Sequence, residues 1–578
     1  MIIDKELVIY DKELDKIERN TKNLFVYDFS RYQPKILISY VNKQGMMEAM
    51  TFDVPLEELY VWRYADTEER YYDSQFRKMV NERRPGEEER YKSWDHKPVK
   101  KIPCFRNKNI QGRVAIDLGS IRFEDFRIYE MLYDIDPNKE TTGVLYELNI
   151  PKTLFWDIEV QVDNPKIFPN AKDVIGAVNC ISCCHEGNVW TWGNKPLSDN
   201  DVARIEVDIN KHLSAKDSTV TDRYKFHYEY VPNEWDLIMK FYAHTKGFPA
   251  MSGWNTDGYD NPYLVNRLMK INPDNKILTD FNKGDFANKI FEVATPYGGH
   301  IRSKNKDVGA LYKMRHKCNY DYLEIYRTFD RTIKLKQSFS LDYTAERATG
   351  LKKVEHALGF KELYEKDYYT YILYSAIDPI LVEQIDKSVK TSGIACTLGN
   401  LVGVSPEATL GRIGTVEAAL VQFMYPENIV FPTIYFDEKD HKQNTDYEGA
   451  YVYNPVPGIY RYVCSYDFAS LYPSVIRQFN ISPDTYLGKD PEARADFIKS
   501  GEIVFNPNKH GQACKPDEIK TASGAIYTKK FKGMLPKLLD HYYFKRQDFK
   551  SLAKTAKQNA NDIDNLIKEK KKQLGLVG

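Results

Sequence analysis

With 578 residues the chain is too long for one hydrophobic core and reads as several domains. Lysine plus arginine and aspartate plus glutamate both number 82, so no net charge draws the protein onto a polyanion, and nucleic-acid contact has to come from local basic patches. Eight cysteines in such a length make no disulfide framework, the charged start MIIDKELVIYDKELDKIERN is unlike a secretory signal, and no apolar run approaches the roughly 18 residues that span a bilayer, so a reducing compartment and no membrane anchor are expected.

From Met1 to about Thr153, short strand-like runs (24–27 and 35–40) alternate with charged helical stretches such as 68–84, without a catalytic constellation. The basic stretch from Lys97 to Arg113 reads as a solvated loop, with nucleic-acid contact the alternative. A new unit opens at LFWDIEV, residues 154–160. Residues two apart in a strand share a face, so Asp157 and Glu159 point together while Ile158 and Val160 pack behind them. Two carboxylates on one face of an apolar strand repel each other, and a pair of divalent cations is the natural compensation. Cys180, Cys183, Cys184 and His185 have a C-x-x-C spacing, but they lie in an apolar run without a second pair, so buried strand cysteines are expected rather than zinc.

In SGWNTDGYD (252–260) glycines shape a turn, and Asp260 leads into a helical pattern of Tyr263, Leu264 and Leu268; taken alone, Asp260 serves equally as an N-cap. Pro296, Gly298, Gly299 and Gly309 between Thr295 and Lys313 predict an exposed β-hairpin. Tyr374 and Asp378 are four apart on a helical stretch and share a face, although a core aromatic and a surface charge would show the same spacing. Pro379 predicts a kink or restart of that helix at Asp378.

Ile459, Tyr460, Tyr462 and Val463 predict a buried strand that delivers Asp467 to its end, with Pro473 in the first turn of a following helix. A carboxylate there, followed by the amides that open a helix, can hold a divalent cation beside a polyphosphate; a turn-capping aspartate fits the local pattern equally. After GMLP (533–536), Leu538, Leu539, Tyr542 and Tyr543 keep helical spacing, and Arg546 and Lys550 fall on one face, which by itself describes a solvated basic helix. Lys554 to Lys572 reads as a soluble helical tail.

The string DFASLYPSVIRQFNISP (467–483) resembles motif A of the family B DNA polymerases, with the core DxxSLYPSII, and its RQFNISP end is most similar to the T-even-type bacteriophage replicative enzymes. The resemblance implies that Asp467 binds both catalytic metals with help from the Phe468 carbonyl. It further implies that the Ser470 and Leu471 amides hold the incoming triphosphate and that Tyr472 lies under the sugar and excludes ribonucleotides. GxxPxxL…R…K resembles the first fingers helix, whose arginine and lysine, here Arg546 and Lys550, grip the triphosphate. Tyr447-Glu448-Gly449-Ala450 resembles the YxGG-type loop, with alanine for its second glycine.

Upstream, LFWDIEV, GWNTDGYD and YSAID resemble in order and spacing the three motifs of the DnaQ-like 3′–5′ exonuclease domain that family B enzymes carry before the palm. This implies Asp157, Glu159, Asp260 and Asp378 as ligands of two Mg2+ ions, Tyr374 as the residue that orients the attacking water, and Asn255 as a contact to the DNA strand. Tyr259 stands where phenylalanine is common, and the 295–313 hairpin resembles in position one that helps transfer the primer strand in related phage enzymes, with an ordinary surface hairpin the equal alternative.

The expected fold is therefore an α/β multidomain protein: an N-terminal domain (1–153), a DnaQ/RNase H-like exonuclease domain (154–390), a segment returning to the N-terminal domain (391–444), a partial family B palm with motif A (445–532) and partial fingers (533–578). The implied function is that of a DNA-directed DNA polymerase of a phage replisome with 3′–5′ proofreading. It would act on primer-template DNA and dNTP in the cytoplasm of the infected host cell, alongside a sliding clamp and other replisome proteins. The family's KxxxNSxYG helix and YGDTDS-type turn do not occur in the sequence, so the polymerase metals require a motif C supplied from elsewhere. The chain alone is expected not to polymerise and to be one part of a split polymerase completed by a second chain. The alternatives are a self-standing 3′–5′ exonuclease and an inactive DNA-binding fragment.

Overall fold

The computed structural model describes residues 24–29, 35–41, 47–53, 60–65, 91–103, 152–161, 169–245, 247–248, 250–272, 291–294, 311–314, 318–331, 337–402, 406–424, 427–432, 456–468, 470–490, 515–521 and 524–574. The chain forms two compact units: residues 102–422 make up most of the first, and residues 423–578 most of the second. None of the described helices is long and apolar enough to cross a membrane.

In the first unit, β1 (Leu24–Phe29), β2 (Lys35–Val41) and β3 (Met47–Asp53) form an antiparallel sheet in that order. The larger sheet is built from β4 (Thr153–Val160), β5 (Val178–His185), β6 (Asn188–Gly193), β7 (Lys225–Tyr230), β8 (Ala250–Gly253) and β11 (Cys318–Asp321). Its order is β7-β6-β5-β4-β8-β11. β4, β5 and β6 are joined antiparallel, whereas β7, β8 and β11 each run parallel to their neighbours. Two short strands, β9 (Phe291–Ala294) and β10 (Leu311–Met314), pair antiparallel and form the base of the expected hairpin; residues 295–310 lie outside the described residues.

Helices cover both faces of the larger sheet: α1 (Asp199–Leu213), α2 (Glu234–Thr245), α3 (Asp260–Ile271), α4 (Tyr322–Phe329), α5 (Leu341–Thr349) and α6 (Tyr368–Val389). The alternation of β4 sorts the layers. Leu154, Trp156, Ile158 and Val160 join the core made with Leu237, Phe241, Tyr263 and Leu264 of α2 and α3. Phe155 faces the opposite core, built with α1, α4, α5 and α6. Asp157 and Glu159 share that second face. Cys183 belongs to the first core, while Cys180 and Cys184 belong to the second, so the sheet separates the cysteines and they cannot form one ligand set.

Helix α6 runs from Tyr368 to Val389 through Pro379, so of the kink or restart expected there the restart does not occur. Proline costs about 3 kcal/mol or more inside a helix. Ile372, Ile377, Ile380, Leu381 and Ile385 are fully buried around it, each stabilising the helix against the sheet by about 1.5–3 kcal/mol, and this packing outweighs the lost amide. Past α6, Ala395 packs with Ala250, Cys318, Tyr320 and Ile325, so the stretch read as returning to the N-terminal domain begins against the larger sheet.

In the second unit, α7 (Leu471–Gln478) packs on the first part of α8 (Met534–Gln573). Arg477 pairs with Asp540 and lies over the Tyr543 ring, 4.4 Å from its centroid. The expected strand before Asp467 does not form. Residues 456–468 have no strand, and Ile459 and Tyr462 are each 99% exposed. Their β-branched and aromatic composition favours an extended chain only where a neighbouring strand supplies a ladder and a covered face, and no described strand does so here. The sheet of this unit consists of β12 (Tyr486–Lys489), β13 (Glu518–Lys520) and β14 (Ala525–Thr528), with β14 central and antiparallel to both.

The NISP end of the motif-A string, with Asp484 that follows it, caps α8. Asn480 Oδ1 accepts from the Gly533 amide at 2.9 Å, Asp484 from that of Met534 at 3.1 Å, and Ser482 Oγ from that of Leu535 at 3.2 Å. Three amides that a helix start leaves unpaired thus meet side chains of one loop. Asp484→Ala should lower the stability of this unit by about 1 kcal/mol, read as an earlier urea midpoint in helical circular dichroism.

Candidate active site

The site grows from the middle of β4. Asp157 lies opposite Ser182 and Glu159 opposite Cys180 in the antiparallel pairing with β5. Ser375 of α6 meets the same two neighbours, its Oγ 2.8 Å from Ser182 Oγ and 3.3 Å from Cys180 Sγ. This polar seam sets the helix against the strand pair; Tyr374 and Asp378, one turn apart, share a helix face, and Asp378 lies beside the carboxylates of β4.

Carboxylate oxygens of Asp157, Glu159 and Asp378 lie within 4.8 Å of one another. Asp260, the first residue of α3, is 3% exposed and sits near enough to Asp157 for the two charges to interact. Burial, reinforced by the neighbouring charges, pushes the carboxyls up: Asp157 to about 7 with Asp378 as its main charged neighbour, and Glu159 and Asp260 well above the usual range. Burial raises Asp378 too, against the opposing pull of Lys353.

Lys353 is the residue that the sequence reading missed. Its ammonium donates to Asp378 Oδ2 at 2.6 Å and to the Tyr374 hydroxyl oxygen at 2.7 Å. One cation thereby holds the side chains of both Tyr374 and Asp378, and it faces a cluster of several carboxylates. The phenol of Tyr374 is packed edge-on by His356 and Phe360, with ring centroids at 5.5 and 5.1 Å. Because Lys353 fills an acceptor position on Tyr374, the hydroxyl proton is free to point to another acceptor.

The arrangement fits divalent cations. Its donors are hard carboxylate oxygens, and Asp378 Oδ1 is buried without a hydrogen-bond partner among the described residues. Asn255, read as a strand contact, is exposed in the turn before α3, with φ of 65°.

The residues read as a nucleotide site are placed differently. Asp467 and Phe468 lie in the irregular exposed segment, with Phe468 75% exposed. Ser470, with φ of 52°, precedes Leu471 at the start of α7, and Tyr472 is 75% exposed. Arg546 and Lys550 are exposed one turn apart on α8. No hydrogen bond or ion pair among the described residues joins Asp467 to Arg546 or Lys550.

Comparison with known proteins supplies the family. The pattern of the DNA polymerase family B exonuclease domain matches residues 126–344, which hold Asp157, Glu159 and Asp260, and that of DNA polymerase family B matches residues 408–574, which hold Asp467, Arg546 and Lys550. The DNA-directed DNA polymerase of Escherichia phage RB69 is 25% identical over 78% of this chain and 47% of its own length. That of Enterobacteria phage T4 is 28% identical over 58% of this chain and 35% of its own length, and the DNA polymerase of Thermococcus litoralis is 25% identical over 56% and 17%. The chain spans about half the length, or less, of these curated relatives. Exonuclease domains of this family use divalent metals, in accord with the carboxylate cluster on β4 and α6. With both domain patterns present in sequence order and phage polymerases among its relatives, the chain belongs to the family B DNA polymerases and carries an exonuclease domain of that family.

Proposed function

We propose that the first unit is a 3′–5′ exodeoxyribonuclease that proofreads for a phage replicative DNA polymerase, with Asp157, Glu159, Asp260 and Asp378 as ligands of two Mg2+ ions. The convergence of Asp157, Glu159 and Asp378 within 4.8 Å carries this reading. When bound, such cations lower the pKa of an attacking water and stabilise the departing 3′ oxygen. The chain's own residues do the positioning. Lys353 fixes the Tyr374 oxygen, which leaves the phenol proton available to a water beside the scissile phosphate, and it holds Asp378 in place through its Oδ2. Asn255, exposed at the edge of the site, is the proposed contact to the terminal strand. The proposed exonuclease domain is 154–390, preceded by an N-terminal domain and followed by a segment packed back on it.

The second unit is read as the start of a palm (445–532) and of fingers (533–578). Asp467 and the Phe468 carbonyl would serve as metal ligands, the Ser470 and Leu471 amides with Arg546 and Lys550 would hold the dNTP triphosphate, and Tyr472 would lie under its sugar. The nine-tenths or more of Ile459, Tyr462 and Tyr466 left exposed suits a segment that becomes a strand on pairing with a second polymerase chain carrying the remaining palm carboxylate. Primer-template DNA, dNTP, a sliding clamp and other replisome proteins are the proposed partners, in the cytoplasm of an infected host.

The test of the split reading is primer extension by the purified chain with Mg2+ and dNTP, alone and with a chain bearing the KxxxNSxYG and YGDTDS-type motifs. Extension is expected only with both chains present and should disappear with Asp467→Ala while 3′ digestion persists. Extension by the mixture that survives Asp467→Ala would remove Asp467 from the polymerase site.

A further inference from the structure

Asp321 closes β11 opposite Gly253, the last residue of β8, in their parallel pairing. It is 2% exposed, and its carboxylate accepts three backbone amides. Oδ1 takes Leu323 at 2.9 Å, which caps α4, and also Asn255 at 3.0 Å; Oδ2 takes Asp257 at 3.2 Å. Capping alone does not call for a carboxylate, because serine, threonine or asparagine serves as well. Reaching Asp257 as well does call for a second acceptor oxygen, because Oδ1 already takes Leu323 and Asn255.

The segment it reaches is the turn that introduces Asp260. Asn255 there adopts the left-handed region, which asparagine enters more readily than other non-glycine residues and which gives the turn its sharp reversal. The Asn255 carbonyl accepts from the amides of Gly258 and Tyr259, both at 3.0 Å, and the Thr256 carbonyl from that of Asn261 at 2.9 Å. At the other end of the turn, a Cβ on Gly253 would come within 2.4 Å of the Trp156 carbonyl oxygen, so β8 and β4 touch directly beside Asp157. The path from Asp321 through Asn255 and Asp257 toward α3 is short, and its hydrogen bonds reach Tyr259 and Asn261, the two residues that flank Asp260.

We propose that Asp321 is a positioning residue of the exonuclease site: its two oxygens fix the Asn255–Tyr259 turn and thereby place both Asp260 within the carboxylate cluster and Asn255 at its edge. The inference rests on the exonuclease reading above.

The test uses the full chain with Asp321→Ser, which keeps an acceptor for the helix cap and gives up the turn, and Asp321→Asn, which keeps Oδ1 and turns an amide group toward Asp257. Mn2+ affinity is measured by calorimetry without DNA, and kcat and KM on a 5′-labelled oligonucleotide with Mg2+. Asp321→Ser should bind Mn2+ at least tenfold more weakly and lose at least tenfold in kcat while keeping a cooperative thermal transition, with Asp321→Asn between it and the parent. Mn2+ affinity and kcat within twofold of the parent in both folded variants would overturn the proposal. Loss of the cooperative transition in both would do so too, because Asp321 would then be a residue of the core. If the parent binds Mn2+ through Asp157 and Glu159 yet digests no strand, the exonuclease reading fails while Asp321 is still judged on Mn2+ affinity.

Discussion

Replacing Asp157 and Glu159 together with alanine should lower release of nucleotides from a 3′ end by about a thousandfold or more, with the fold intact. Both side chains sit on the face of β4 that looks at α6, so their loss removes the strand's entire contribution to the carboxylate cluster. The same variant should be more stable than the parent when no divalent cation is present. The parent's metal-free site crowds like charges that burial already disfavours. Relief of that repulsion is worth about 1 kcal/mol or more, a rise of about 2–4 °C in the thermal midpoint for a unit of this size. Mg2+ or Mn2+ should raise the parent's midpoint and leave that of the double variant unmoved. Calorimetric scans with and without the cation measure both effects. A double variant that melts below the parent without metal would mean that the carboxylates are satisfied in some other way.

Lys353→Met should have the opposite effect on stability and a large effect on rate. Methionine keeps the length of the stem and removes the ammonium, which leaves Asp378 without its cation and Tyr374 without the donor that orients it. Breaking a buried pair costs up to about 3–5 kcal/mol, and here the partial exposure of Lys353 and protonation of Asp378 reduce this to about 1–3 kcal/mol without metal. A bound divalent cation supplies the missing positive charge, so the loss should shrink when Mg2+ is added. Turnover should still fall about a hundredfold, because a phenol displaced by an ångström misdirects the attacking water. Lys353→Arg should recover part of it. The decisive comparison is kcat at saturating Mg2+: a value within twofold of the parent would make Lys353 only a stabilising counter-ion of the metal-free protein.

These residues also show what could be read from the chain and what could not. The strand LFWDIEV carries its period openly, and the structure puts Ile158 and Val160 in one core and the two carboxylates on the other face. Tyr374 and Asp378 are one helical turn apart, which is local information, and both meet Lys353. Lys353 itself had no signal, because it lies in a basic run where any lysine would look solvated and its role exists only through α6. Asp321 was hidden for the same reason: NYDYLEIYRTF reads as a strand followed by a helix, and the turn it holds is more than sixty residues away. Helix α6 does not restart at Pro379, because burial of the helix outweighs the missing amide, and local rules misled at Ile459–Val463, where composition proposed a strand but strand formation needs a partner that those residues do not encode.

The most direct measurement follows a 5′-labelled single-stranded oligonucleotide incubated with the purified chain and Mg2+. A ladder that shortens one nucleotide at a time from the 3′ end is expected, stopped by chelator and absent in the Asp157→Ala/Glu159→Ala variant. Products of internal cleavage, or a ladder that the double variant produces at the parent's rate, would contradict it.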